Sequence, residues 1–186
     1  MKARDNPFSS DRVLRIRYRL RDVSWEQLMR RMAAMNYRGA LVGPQGSGKT
    51  TLLEDLEPAL VARGFQTRWL RLNQSMQRLS SAAWREFFAA IEKNDIILLD
   101  GAEQLNWLAW LRFKLNSRKA AGLVITVHKP GRLPTVLECC TDPDLLQEIV
   151  GALAPVSACH TAELFHRHQG NLRNALRELY DSYAAR

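Results

Sequence analysis

Gly43-Pro44-Gln45-Gly46-Ser47-Gly48-Lys49-Thr50 satisfies the pattern G-x-x-x-x-G-K-[ST] at every constrained position. Before it stands the apolar run Ala40-Leu41-Val42, and after it Thr51-Leu52-Leu53 opens a helix-like segment. A strand, this loop and a helix are the context in which the pattern holds phosphate. The glycines let the backbone turn tightly with its N–H groups pointing inward, so loop and helix N-terminus cradle the α- and β-phosphates of a nucleotide. Gly43, Pro44, Gln45, Gly46, Ser47, Gly48, Lys49, Thr50 and Thr51 are therefore the expected binding residues. Lys49 reaches the β- and γ-phosphates, and Thr50 offers its hydroxyl to Mg²⁺.

A second motif lies downstream. Ile96-Ile97-Leu98-Leu99-Asp100 is an apolar run ending in an acid, the Walker B pattern. A strand buried on both faces explains the apolar run, and its carboxyl end is where ligands bind in open α/β sheets. Asp100 is the expected second Mg²⁺ residue. Many hydrolysing proteins carry Glu directly after this Asp, but here the chain reads Asp100-Gly101-Ala102-Glu103. Two roles stay open for Glu103: a catalytic base swung in from the start of a helix, or an acid favouring a helix N-terminus.

The rest of the chain alternates strands and helices, which predicts an α/β domain with a mainly parallel sheet. Ser24 N-caps a helix to about Tyr37, followed by strand 39–42, helix 49–63 closed by Gly64, and strand 65–72. A helix over 80–93 opened by Ser80 or Ser81, strand 95–100, one long helix over 103–119, and strands 122–128 and 135–140 complete the sheet. Helices over 143–153, 161–168 and 171–184 form a small C-terminal group. The long helix is expected to be apolar on two faces, with Leu105, Leu108 and Leu115 on one and Trp107 and Trp110 on another. One face packs on the sheet; the other lies under the N-terminal segment or forms a protein interface.

The 186 residues suit one domain with a small appendage, and a hydrophobic fraction of 46% is ample for a core. No apolar run approaches the ~18 residues of a membrane span, and the N-terminus lacks a secretion signal, so a cytoplasmic location is expected. Cys139, Cys140 and Cys159 fit neither a disulfide framework nor a metal pattern and are expected to be reduced core residues. The net charge is +8, of which residues 1–21 carry +5, from seven Lys/Arg against two Asp. Arg15, Arg17, Arg19 and Arg21 alternate with Ile16, Tyr18 and Leu20, so a β-strand would gather the four guanidinium groups on one face. Such a strip suits nucleic-acid phosphates, an acidic protein partner or the nucleotide; a solvated edge strand explains it equally well.

With these motifs and the stretch Gly170-Asn171-Leu172-Arg173-Asn174-Ala175-Leu176, the chain resembles the AAA+ ATPases and their close P-loop relatives from about residue 36 onward. The resemblance implies a three-layer P-loop NTPase fold with a small helical lid, ATP with Mg²⁺ as ligand, and a homo-oligomer. It divides the chain into a basic N-terminal strand and helix (1–38), a P-loop core (39–141) and a lid (142–186). Arg173 matches the lid arginine that senses the γ-phosphate. Thr126 and His128 both qualify as the polar sensor on the strand lying between the P-loop and Walker B strands. Arg118 and Arg132 are candidates by placement for an arginine finger inserted by a neighbouring subunit, and an ordinary surface role explains either one. The implied activity is an Mg²⁺-dependent ATPase or ATP-driven switch acting on a macromolecule. A P-loop phosphotransferase and a slowly hydrolysing, nucleotide-dependent binding module are the alternatives. No [NT]-K-x-D motif follows Asp100, which argues against a GTPase.

Overall fold

The computed structural model describes residues 5–72 and 81–185, with Ser81 described by its backbone alone. In chain order the elements are α1 (Ser10–Val13), α2 (Trp25–Ala34), β1 (Arg38–Val42), α3 (Lys49–Val61), β2 (Gln66–Arg71), α4 (Ser81–Ala89), β3 (Asp95–Asp100), α5 (Trp107–Asn116), β4 (Gly122–Val127), β5 (Thr135–Glu138), α6 (Pro143–Leu153), α7 (Ala158–Arg167) and α8 (Leu172–Ala184). They fall into two compact units. One comprises the described parts of Met1–Tyr18, Gly43–Thr51 and Cys139–Arg186, the other Arg19–Val42 with Leu52–Glu138.

The second unit holds the sheet. Its order is β2-β3-β4-β1-β5, and every neighbouring pair is parallel. This is the α/β fold of a P-loop NTPase, with β4 between β1 and β3 as expected. Parallel strands covered on both faces must be apolar throughout, which explains why Ile96, Ile97, Leu98, Leu99 and all of β4 are buried. Residues alternate between faces. Ala40, Val42, Ile97, Leu99, Leu123, Ile125 and Val127 join Phe113 of α5 and Trp84, Phe87 and Phe88 of α4 in one core. The edge strand β2 is only half-buried and carries polar Gln66 and Arg71 at its exposed ends.

Local chemistry sets the ends of these elements. Ser24 and Gln27 form a reciprocal capping box that starts α2. Asn36 and Tyr37, both at positive φ, reverse the chain into β1. Gly64 ends α3 at φ +87°. The helix expected over 103–119 is broken into three pieces: a 3₁₀ turn at Ala102–Gln104, α5, and a second turn at Ser117–Lys119. The Asn106 side chain accepts from Ala109 N at 2.8 Å and so starts α5 afresh. Of the helix expected over 80–93, Ser80 lies outside the described residues, and the helix ends at Ala89.

The first unit has its own core. Leu145, Leu146 and Val150 of α6, Leu164 of α7 and Leu172, Ala175, Leu176 and Leu179 of α8 close around Phe8. The Phe8 ring meets Tyr183 edge-on at 5.1 Å, and Asn6 Nδ2 donates to Tyr180 O at 2.8 Å. The N-terminal segment is thus part of the helical core.

Two expectations need correction. Residues 15–21 form no strand; after α1 the chain runs through turns and irregular backbone to Ser24. The alternation survives, with Arg15, Arg17, Arg19 and Arg21 exposed and Ile16, Tyr18 and Leu20 half-buried. A period of two needs only side chains that alternate, whereas a strand needs a hydrogen-bonded ladder. Of the cysteines expected in the core, only Cys139 is buried; Cys140 and Cys159 are exposed. Neither of the exposed pair sits on the apolar face of its segment.

Candidate nucleotide site

Val42 ends β1 and is bonded to Gly43, so the loop issues from the carboxyl end of a buried strand. Gly46 and Gly48 adopt φ +79° and +82°, a left-handed backbone that side chains resist. Gly43 is enclosed: a Cβ there would meet Cys139 O at 2.4 Å and Ser47 Oγ at 2.7 Å. Lys49 begins α3 and is 7% exposed. Its ammonium donates to Gly43 O at 2.8 Å and Pro44 O at 2.6 Å. A buried ammonium in a loop of this shape is placed to meet an anion. The N–H groups of the first turn of α3 add their own pull on negative charge.

Three further residues of this unit meet the loop. The Tyr18 ring lies 3.1 Å from where a Gly48 Cβ would stand, and its hydroxyl bonds the Cys139 thiol. Burial pushes that thiol's pKa up, against the smaller opposing effects of the Tyr18 bond and the Lys49 charge. Asn171, the N-cap of α8, accepts from Asn174 N at 3.1 Å. A Cβ on Gly46 would fall 2.1 Å from Asn171 Oδ1 and 3.3 Å from Arg173 N. The start of α8 therefore lies against the loop, and the Arg173 side chain is exposed there.

This contact gives a controlled test. Gly46→Ala strains the backbone and collides with Asn171, whereas Gly64→Ala, at φ +87° with nothing within 4 Å, carries the backbone strain alone. The strain is worth about 1 kcal/mol at either position. Thermal unfolding should show Gly46→Ala the more damaging of the two, with nucleotide affinity lowered only by that variant. Equal losses would remove the α8 contact from the account.

A second group of candidate residues lies at the strand ends of the other unit. Asp100 closes β3, and its Oδ1 accepts from Thr126 Oγ1 at 2.6 Å. Thr126 is 1% exposed, and the same hydroxyl accepts from Gly101 N at 2.8 Å. Thr126 thus orients Asp100. Gly101 explains the missing adjacent Glu: it sits at φ +84°, and a Cβ there would meet Leu72 O at 2.4 Å. No side chain fits at that position without moving the backbone. Glu103, two residues on, has Oε1 3.3 Å from His128 Nε2, while its buried Oε2 has no hydrogen-bond partner among the described residues.

Arg132 is half-buried, donates to Leu105 O at 2.5 Å and lies 5.3 Å over the Trp110 ring. Burial lowers its pKa, and the Glu103 charge opposes that shift. Its guanidinium braces this chain's own loop rather than projecting outward. Arg118 is exposed. His168 and Arg167 both pair with Glu178, and no cluster with metal-ligand composition occurs among the described residues. Sequence reasoning did not find the roles of Tyr18, Cys139 and Asn171 at the loop. Asn171 alone carried a signal, an N-cap residue following Gly170.

Sheet order, phosphate loop and acid-terminated strand define the fold of a P-loop NTPase. Residues 40–121 match the model of the AAA family, described as ATPase family associated with various cellular activities. The fold is similar to that of the Thermotoga maritima RuvB Holliday junction branch migration motor, at 17% identity and TM-score 0.57, over 90% of this chain and 64% of that one. A RuvB mutant from the same organism with lysine replaced by arginine matches at 15% identity and TM-score 0.55, over 84% and 61%. A threonine-to-valine variant matches at 17% and 0.54, over 90% and 64%. The chain thus spans less than two thirds of these solved structures. No curated protein matches it. No helix of the described residues is long and apolar enough to cross a membrane.

Proposed function

We propose that this chain binds Mg·ATP at its phosphate loop and hydrolyses it to act on a macromolecular partner. The observation that carries this reading is the buried Lys49 ammonium, held at the Gly43 and Pro44 carbonyls of a loop whose Gly46 and Gly48 are left-handed. The donor set fits the nucleotide: Lys49 and the backbone N–H groups of residues 46–51 bind phosphate, while Thr50 and Asp100 are the hard oxygen ligands that suit Mg²⁺. Bound Mg²⁺ supplies neutralisation of phosphate charge. Thr126 holds the Asp100 carboxylate in place. Glu103 is the base: its unpaired buried oxygen is an acceptor for the proton of an attacking water, and His128 fixes the carboxylate's other oxygen. Arg173, carried by the α8 start against the loop, reports the γ-phosphate to the lid, residues 142–186. The exposed arginines of 15–21 are the proposed contact to nucleic acid or an acidic protein, in the cytoplasm and in a homo-oligomer.

ATP turnover measured across protein concentrations, with Lys49→Ala as blank, tests this reading. Glu103→Gln should lower turnover about 100-fold with ATP affinity unchanged. Unchanged turnover would reduce Glu103 to a helix-end acid. Turnover per molecule that rises with concentration supports a site completed by a neighbouring copy. A slowly hydrolysing binding module is the second reading, favoured by the backbone at Gly101 that excludes a Glu there. Tight ATP binding with no turnover at any concentration would select it.

A further inference from the structure

Seven large apolar side chains are exposed among the described residues, and four of them lie on one ten-residue helix: Trp107 (73%), Leu108 (45%), Leu111 (45%) and Leu115 (46%) of α5. At 3.6 residues per turn, Leu108, Leu111 and Leu115 follow the i, i+3, i+7 spacing and Trp107 adjoins Leu111 at i+4, so the four make one continuous stripe. Exposed Lys114 and Arg112 border it on its two sides. No Asp or Glu occurs between Glu103 and Glu138, while Arg112, Lys114, Arg118, Lys119, Lys129 and Arg132 do. On the neighbouring α4, exposed Arg85 and Glu86 offset one another.

The helix is firmly seated from behind. Phe113 is 2% exposed and meets Trp84, Phe88 and Trp110 at ring distances of 5.7, 5.3 and 6.2 Å. Arg38 donates to Ser117 O at 3.1 Å and Ala120 O at 2.6 Å, fixing the turn that follows α5. Phe113 thus occupies the buried side of α5, and the leucines stand on its outer side.

We propose that this face of α5 docks an acidic amphipathic helix of a partner protein. The seam has the spacing by which two helices pack along apolar stripes, and the basic borders select acidic residues flanking the partner's stripe. Trp107 and Arg112 are residue types that anchor such interfaces. Leucines at the centre offer nucleic acid neither stacking faces nor phosphate donors, which disfavours that class of partner. The seam is only about 15 Å long, so the contact is a modest one, with a Kd on the order of micromolar.

The test is fluorescence anisotropy of the whole chain with a labelled helical peptide of about 18 residues, bearing Leu at seam spacing and Glu on both flanks. Saturable binding is expected, weakening as salt is raised. Either double variant, Leu111→Ser with Leu115→Ser or Arg112→Glu with Lys114→Glu, should raise Kd roughly tenfold. Val61→Ser, an exposed apolar residue of α3 outside the seam, should leave it unchanged. Thermal unfolding of each variant separates lost binding from lost fold. The proposal is overturned by absent saturation at about 1 mM protein, by equal binding of the same peptide with Lys flanks, or by insensitivity to both double variants in folded protein. Labelled duplex DNA that binds, and is released by the charge reversal alone, would also overturn it. So would a sedimentation mass that falls in the leucine variant, since a second copy would then occupy the seam.

Discussion

Lys49→Ala is expected to weaken ATP binding by about 100-fold or more. The ammonium is buried and held at Gly43 O and Pro44 O, so its removal deletes the loop's only lysine and leaves two carbonyls short of a donor. The loop itself would then offer phosphate only backbone N–H groups. Isothermal titration checks the affinity, and thermal unfolding checks that the loop still folds; a lost partner for a buried carbonyl costs about 1–3 kcal/mol. An affinity equal to wild type in folded protein would mean that nucleotide does not engage this loop.

Asp100→Asn separates binding from chemistry. Asparagine keeps an Oδ1 that accepts from Thr126, so the β3–β4 connection should persist with a stability change within about 1 kcal/mol. The carboxylate charge that suits Mg²⁺ is lost. Mg²⁺-dependent turnover should fall about 100-fold or more, with ATP still bound in the absence of the metal. Turnover that keeps its Mg²⁺ dependence would leave Asp100 only as the structural partner of Thr126.

How much of this was readable depends on how local each signal is. The loop was legible because glycine, lysine and threonine are each demanded by conformation or charge at their own positions. β3 was legible because burial on both faces leaves no room for polar residues. The order of β1, β4 and β3 came from the resemblance alone, because a buried run shows that a strand is central without showing its neighbours. Position 101 was noticed as a gap, but its cause, the Leu72 carbonyl against a left-handed backbone, is a long-range contact that no spacing encodes. Tyr18 was read as one apolar member of a strand. Its partners Gly48 and Cys139 lie far along the chain, and they fix it individually. The Asn106 cap was missed because the leucines and tryptophans on either side suggested one uninterrupted helix. Phe8 looked like an isolated aromatic in a basic tail, yet it fills the helical core.

The central claim is that this chain is built to hold Mg·ATP. The most direct measurement is an equilibrium titration of the wild-type chain with a non-hydrolysable ATP analogue, with and without Mg²⁺. The account predicts one saturable site per chain, tightened by Mg²⁺ and competed by ATP. A folded chain showing no saturation at roughly 1 mM analogue, with or without the metal, would contradict it.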